Sequence, residues 1–230
     1  MAGTTETAVD RKTFALKDCA LIAIATGRKA LTLGEFLDAL RDITPDSIYY
    51  HFWGGLLQPR FEQREYNNDF AAWVRHSLHD AVLAERLAVL DPTEFPDMEV
   101  LRQEALELVE QRLDEDEGLH WTRASSQFEF IRSQIVVFDT DTRVEHAKEL
   151  AGLVPHLSLG SIFYHFVDAR RRLEGGYDDF RAWLAGIDSQ YEALCADLAA
   201  LDPYFGSLAE LRQQLTTLFE PHLPTEEAAL

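Results

Sequence analysis

The chain has 230 residues, enough for one large hydrophobic core or two modest ones, and its 47% hydrophobic share is that of an ordinary globular protein. Lys and Arg number 21 against 40 Asp and Glu, a formal net charge of −19. That balance argues against nucleic acid and anionic membrane surfaces as partners, because both are held mainly by Lys and Arg, and it suits a basic protein partner or a cation.

Residues 1–10 are small and polar, without the basic start and apolar core of a secretory signal, so a cytoplasmic location is expected. The apolar run at 20–25, between Asp18 and Arg28, is far too short to cross a bilayer. It is alanine-rich and reads as helix. Thr32-Leu33-Gly34-Glu35 has the spacing of a capping box. Then comes Ser47-Ile48-Tyr49-Tyr50-His51-Phe52, which recurs as Ser161-Ile162-Phe163-Tyr164-His165-Phe166. Around it, residues 14–52 align with 128–166 without a gap, matching Phe14 with Phe128, Thr26 with Thr140 and Glu35 with Glu149. The first copy continues through a longer connection, 53–68, that contains Gly54, Gly55 and Pro59. Phe70, Trp73, Val74, Leu78, Ala81 and Val82 share one helical face, with Asp69 placed ahead of it as a cap. Asp91-Pro92 closes that helix and Leu101-Arg102 begins the next. Residues 114–127 start as an acidic run ending in Gly118 and read as a linker.

The second copy follows the same order. Gln134-Ile135-Val136-Val137-Phe138-Asp139 has strand propensity, in conflict with the helical reading of its counterpart at 20–25. This leaves room for a short strand pair. Thr142 and Glu145 have capping-box spacing, as do Ser207 and Glu210. Phe180, Trp183, Leu184, Ile187, Tyr191, Leu194, Cys195 and Leu198 form one helical stripe behind Asp178-Asp179, and Leu208, Leu211, Leu215, Leu218 and Phe219 form another. The tail from Pro221 is expected to fray. The fold expected is mainly α: two tandem, similar helical halves, 14–113 and 128–219, related by a pseudo-two-fold axis and sharing a buried face.

The retained polar residues are the candidates for chemistry. His51 and His165 recur among aromatics, and two imidazoles near an axis can hold a metal or haem. The competing reading is a buried ring bonded to a backbone carbonyl. Each half keeps only this one His, so no cofactor is expected. The functional alternative is a pocket per half, lined by Tyr50, His51, Arg60 and Asp69 in the first and by Tyr164, His165, Arg170 and Asp179 in the second. There the Arg would grip a carboxylate or phosphate of a small polar ligand. Asp91, Asp202, Arg102 and Arg212 read as caps and ion pairs, with each Arg reaching an Asp of the preceding turn, and Trp73 and Trp183 read as core. His76 and His79 read as solvated, since 186–190 has no His. Cys19 and Cys195 occupy unmatched positions without zinc spacing, which suits a reducing compartment. No nucleophile elbow, phosphate loop or dinucleotide fingerprint occurs.

These motifs resemble an uncharacterised, mainly bacterial domain family of unknown function. Its pattern is Ser-Ile-aromatic-aromatic-His, then Asn-Asp-Phe-Ala-x-Trp-Val, a Leu-Asp pair and a Leu-Arg pair. Here these are Ser47 to His51, Asn68 to Val74, Leu90-Asp91 and Leu101-Arg102. The second copy has Ser161 to His165, Asp179-Phe180, Trp183, Leu201-Asp202 and Leu211-Arg212, and departs at Asp178, where the pattern has Asn. The resemblance implies no activity. The function expected is that of a non-enzymatic cytoplasmic binding, adaptor or regulatory protein. The alternative is a small-ligand, metal or haem protein, with or without catalysis, using the duplicated Tyr-His sites.

Overall fold

The computed structural model describes residues 13–58 and 65–223. Two long strands, β1 (Phe14–Thr32) and β2 (Arg123–Val144), pair in a two-stranded sheet. Thr26 Oγ1 donates to the Phe130 carbonyl and Thr140 Oγ1 to that of Leu16, each at 2.6 Å. Moving back along β1 therefore moves forward along β2, and the sheet is antiparallel. Each strand carries one left-handed residue, Gly27 (φ 76°) and Asp141 (φ 59°). The architecture is α+β, which corrects the expected mainly α fold of tandem halves. Residues 20–25, expected as helix, are strand. Alanine favours helix only weakly, and pairing with a β-branched segment more than a hundred residues away overrides it.

The chain forms two compact units, one of residues 21–136 and one of the residues before 21 with those from 137 on. The first holds α1 (Leu33–Asp42), α2 (Pro45–Trp53), α3 (Asp69–Trp73), α4 (Ala81–Ala88) and α5 (Met98–Glu115). Thr32 caps α1, accepting from the Glu35 amide, but the Glu35 carboxylate turns to the Leu31 amide, so only half the expected box forms. Pro45 opens α2, where its missing N–H costs nothing. The helix expected over 70–82 is broken. After α3 the chain widens into a π turn, Val74–Leu78, and leaves it through left-handed His79, and Asp80 caps α4 afresh. The core is aromatic: Phe36 stacks on Trp73 at 5.2 Å and meets Phe70, Phe128 and Phe130 within 5.4 Å.

The second unit holds α6 (Glu149–Leu153), α7 (Leu159–Ile162), α8 (Ala169–Arg172), α9 (Asp179–Ile187), α10 (Glu192–Ala200) and α11 (Leu208–His222), with a π turn, Phe163–Asp168, running from α7 into α8. Thr142 lies inside β2 and caps no helix; Glu149 instead accepts from the His146 amide. The expected stripe over 180–198 is interrupted at Asp188, which caps a short turn. The Ser207–Glu210 capping box closes fully. Gly160 lets β1 approach α7, since a Cβ there would collide with the Cys19 carbonyl.

The tandem arrangement fails for a specific reason. Phe14, from the first repeat, packs against Phe180 and Trp183 of the second at 5.4 and 5.3 Å. Phe128, from the second repeat, packs against Phe70 and Trp73 of the first at 5.6 and 5.5 Å. Each set of helices closes its core with a strand from the other repeat. Of the 114–127 stretch, residues from 123 are already β2. Expectations for residues 1–10, for the tail beyond 223 and for Pro59 and Arg60 lie outside the described residues. Among those described, no helix is long and apolar enough to cross a membrane.

Candidate functional site

Ser47 and His51 lie one turn apart on α2 and meet the same residue of β2. The Ser47 hydroxyl donates to the Ile131 carbonyl at 2.7 Å, and the Ile131 amide donates to His51 Nε2 at 3.1 Å. A two-stranded sheet has an outer edge on each strand, and the motif satisfies one residue of that edge completely. Because Nε2 accepts, the ring proton sits on Nδ1, which donates to Asp69 Oδ2 at 3.0 Å. Asp69 therefore orients the imidazole and does not cap α3. The cap is Asn68: Oδ1 accepts from the Ala71 amide at 2.8 Å, and Nδ2 donates to the Leu87 carbonyl at 2.9 Å. The Tyr50 hydroxyl accepts from Gln58 at 3.1 Å.

His165 repeats the arrangement with β1. Its Nε2 accepts from the Lys17 amide at 2.8 Å, and its Nδ1 donates to Asp179 at 2.8 Å. The Ser161 hydroxyl accepts from Ser158 at 3.0 Å. Arg172 completes this cluster. It donates to Asp179 at 3.0 Å, to buried Asp168 at 2.8 Å and to the Tyr164 carbonyl at 2.9 Å, and its guanidinium lies 4.0 Å over the Tyr164 ring. Arg170 goes elsewhere, to the carbonyls of Leu198 and Leu201, with its guanidinium over Phe166. So Tyr164, His165 and Asp179 converge, but with Arg172 and Asp168, which sequence reasoning passed over. The Arg170-Arg171-Arg172 run was the available signal.

Both imidazoles are buried and both nitrogens of each are bonded. A metal at Nε2 would have to displace a strand amide. Among the described residues, no group of three or more His, Cys, Asp or Glu is placed to hold a metal ion. Burial, with the negative charges of Asp168 and Asp18, pushes the Cys19 thiol up to about 12, and it donates to the Gly160 carbonyl at 3.3 Å. It is thus an unreactive thiol. Burial also raises the Tyr164 hydroxyl above the usual tyrosine range.

The remaining retained residues hold chain ends. Arg102 pairs with Glu99 and donates to the Leu40 and Arg41 carbonyls at 3.0 Å each, closing α1, and Arg212 donates to the Leu157 carbonyl at 2.8 Å. Neither reaches the Asp expected from the sequence, because free helix-terminal carbonyls lie closer to hand. Asp91 and Asp202 accept from Thr93 and Tyr204 amides and shape turns. Trp73 is buried and donates to the Ser126 carbonyl at 2.8 Å. His76 is exposed beside Glu65.

A family model described as a family of unknown function, DUF5752, matches residues 11–220. Among solved structures the chain is similar to "The structure of OrfY from Thermoproteus tenax", with 24% identity, a TM-score of 0.77, and coverage of 91% of this chain and 95% of that one. At that identity the likeness speaks for the fold alone. Among curated proteins, none matches.

Proposed function

Since the chain belongs to the DUF5752 family, a family of unknown function, we propose that it acts by binding a basic protein partner in the cytoplasm, without chemistry of its own. The observation that carries this reading lies on β2. Val137 and Phe138 are consecutive, so their side chains leave opposite faces of the strand, and both are well exposed, at 41% and 50%. Large apolar side chains open to solvent on both faces of one strand suit contact with another molecule. In the other unit Ile22 of β1 is similarly open, at 47%. Exposed Asp139 and Asp141 follow Phe138, and the whole chain carries −19, so the complementary partner is basic.

The retained residues support the same reading from the other side. Ser47, His51, His165, Arg102 and Arg212 are engaged in holding backbone groups. Cys19 and Cys195 are both free thiols, which fits a reducing compartment.

The test uses the full chain purified from its own host and examined by native mass spectrometry, with any co-purifying protein identified. A stoichiometric basic protein is expected. Val137→Lys and Phe138→Lys should weaken its binding by about a hundredfold, as for a contact worth about 3 kcal/mol, with circular dichroism and thermal midpoint unchanged. Binding should also weaken as salt rises. Recovery of the chain alone, binding that survives both variants, or a turnover reaction lost in a folded His51→Ala variant would each overturn the reading.

A further inference from the structure

Asp178 occupies the place that Asn68 holds in the first repeat, and the exchange of amide for carboxyl leaves a buried group incompletely bonded. Asp178 is 0% exposed and caps α9, where Oδ1 accepts from the Arg181 amide at 2.8 Å. Asn68 caps α3 in the same way, but has a second hand: its Nδ2 donates to the Leu87 carbonyl. An ionised carboxylate has no proton to give. The carbonyl in the corresponding position, Leu198, accepts a hydrogen bond from Arg170 at 3.4 Å, and the same guanidinium donates to the Leu201 carbonyl at 3.1 Å. Asp178 Oδ2 makes no hydrogen bond and lies 3.9 Å from Arg181 Nε.

Two charged side chains act on this carboxyl, Arg170 from α8 and Arg181 from α9, and its own charge in turn raises the Cys195 thiol of α10. The two guanidinium charges and the nearby amides favour the ionised form. Burial opposes it and prevails, so the carboxyl is pushed up to about 6. A neutral acid and a carboxylate make different demands on the groups around them. The acid carries its own proton and leaves Arg170 on its two carbonyls. The carboxylate is buried with one oxygen unbonded and attracts both guanidinium groups.

We propose that Asp178 is a protonation switch for the end of α10: as the acid it lets Arg170 hold the Leu198 and Leu201 carbonyls, and as the carboxylate it competes for that guanidinium and loosens the turn. The first repeat has no such switch, because Asn68 does not ionise. A raised carboxyl contributes stability that is full below the ordinary carboxylate range and is lost as pH rises through the folded value. The weakening therefore runs from about pH 4, where the unfolded carboxyl ionises, to about pH 6, and levels off above.

Hydrogen exchange on the full chain, corrected for intrinsic rates, reads this at residues 198–206 across about pH 4 to 7. Wild type should lose protection there by about tenfold as pH rises to about 6 and then level off, while Asp178→Asn should stay level, with a gain in thermal midpoint over wild type that grows between about pH 4 and 6. Parallel pH profiles for the two proteins would overturn the switch. The reverse change, Asn68→Asp, guards against a variant that fails to fold. As the acid it keeps a proton for the Leu87 carbonyl and as the carboxylate it loses it, so protection at the end of α4 should fall as pH rises, and a profile there identical to wild type would count against the proposal.

Discussion

The two histidine sites share a motif and differ in what surrounds it. Around His51, the orienting carboxylate Asp69 is 34% exposed. Around His165, Asp179 is 16% exposed and also held by Arg172, which reaches Asp168 and the Tyr164 ring as well. What is common to both is the part that reaches a strand: Nε2 of each ring accepts from a backbone amide, Ile131 in one unit and Lys17 in the other. The invariant element therefore holds an edge strand. The variable elements are those that helix caps and loops supply locally: Asn68 against Asp178, and Gln58 beside Tyr50 against Arg172 over Tyr164. The imidazole contact with the other repeat's strand is kept in both, while the serine contact with it is made by Ser47 and not by Ser161, which meets Ser158.

The largest test of that comparison is the aromatic exchange. Phe14→Ala and Phe128→Ala should each cost about 4 kcal/mol, the usual toll for emptying a buried phenylalanine site. In denaturant unfolding followed by hydrogen exchange, Phe128→Ala should loosen α2 and α3, and Phe14→Ala should loosen α7 to α9. Damage confined to the repeat that carries the mutation would break the exchange.

Next come the rings themselves. His51→Ala and His165→Ala should each lose about 3 kcal/mol, combining an orphaned strand amide with a cavity. The two losses should be similar, because the lost strand contact is the same. A loss at only one site, measured by chemical denaturation, would assign that ring a different role. The smallest effect sharpens the asymmetry. Ser47→Ala removes the donor to the Ile131 carbonyl and should cost about 1 kcal/mol. Ser161→Ala should cost less, since the Ser161 hydroxyl accepts from its helical neighbour Ser158.

Much of the local structure was legible in the chain itself. The Ser207–Glu210 box closes, the stripe through Leu208, Leu211, Leu215 and Phe219 is buried, and Trp73 and Trp183 are core residues. Such features depend on neighbours a few residues apart, which is the range over which sequence patterns act. Helix breaks were less visible: His79 in the left-handed region and Asp188 at a new cap interrupt apolar stripes that look continuous. Periodicity averages over a single residue of changed backbone.

Of the candidate site, the sequence picked out His51 and His165 and their carboxylates Asp69 and Asp179, but neither the strand amides nor Arg172. A backbone N–H carries no signature in a sequence, and Ile131 and Lys17 have nothing in common as side chains. The repeat itself, the acidity, and the residue types at each helix end were determined by the sequence alone. That 20–25 is strand, and that each repeat's aromatic strand completes the other's core, was decided only by tertiary structure. Pairing partners over a hundred residues apart outweigh a weak local preference, and burial of Phe14 and Phe128 rewards the exchanged arrangement.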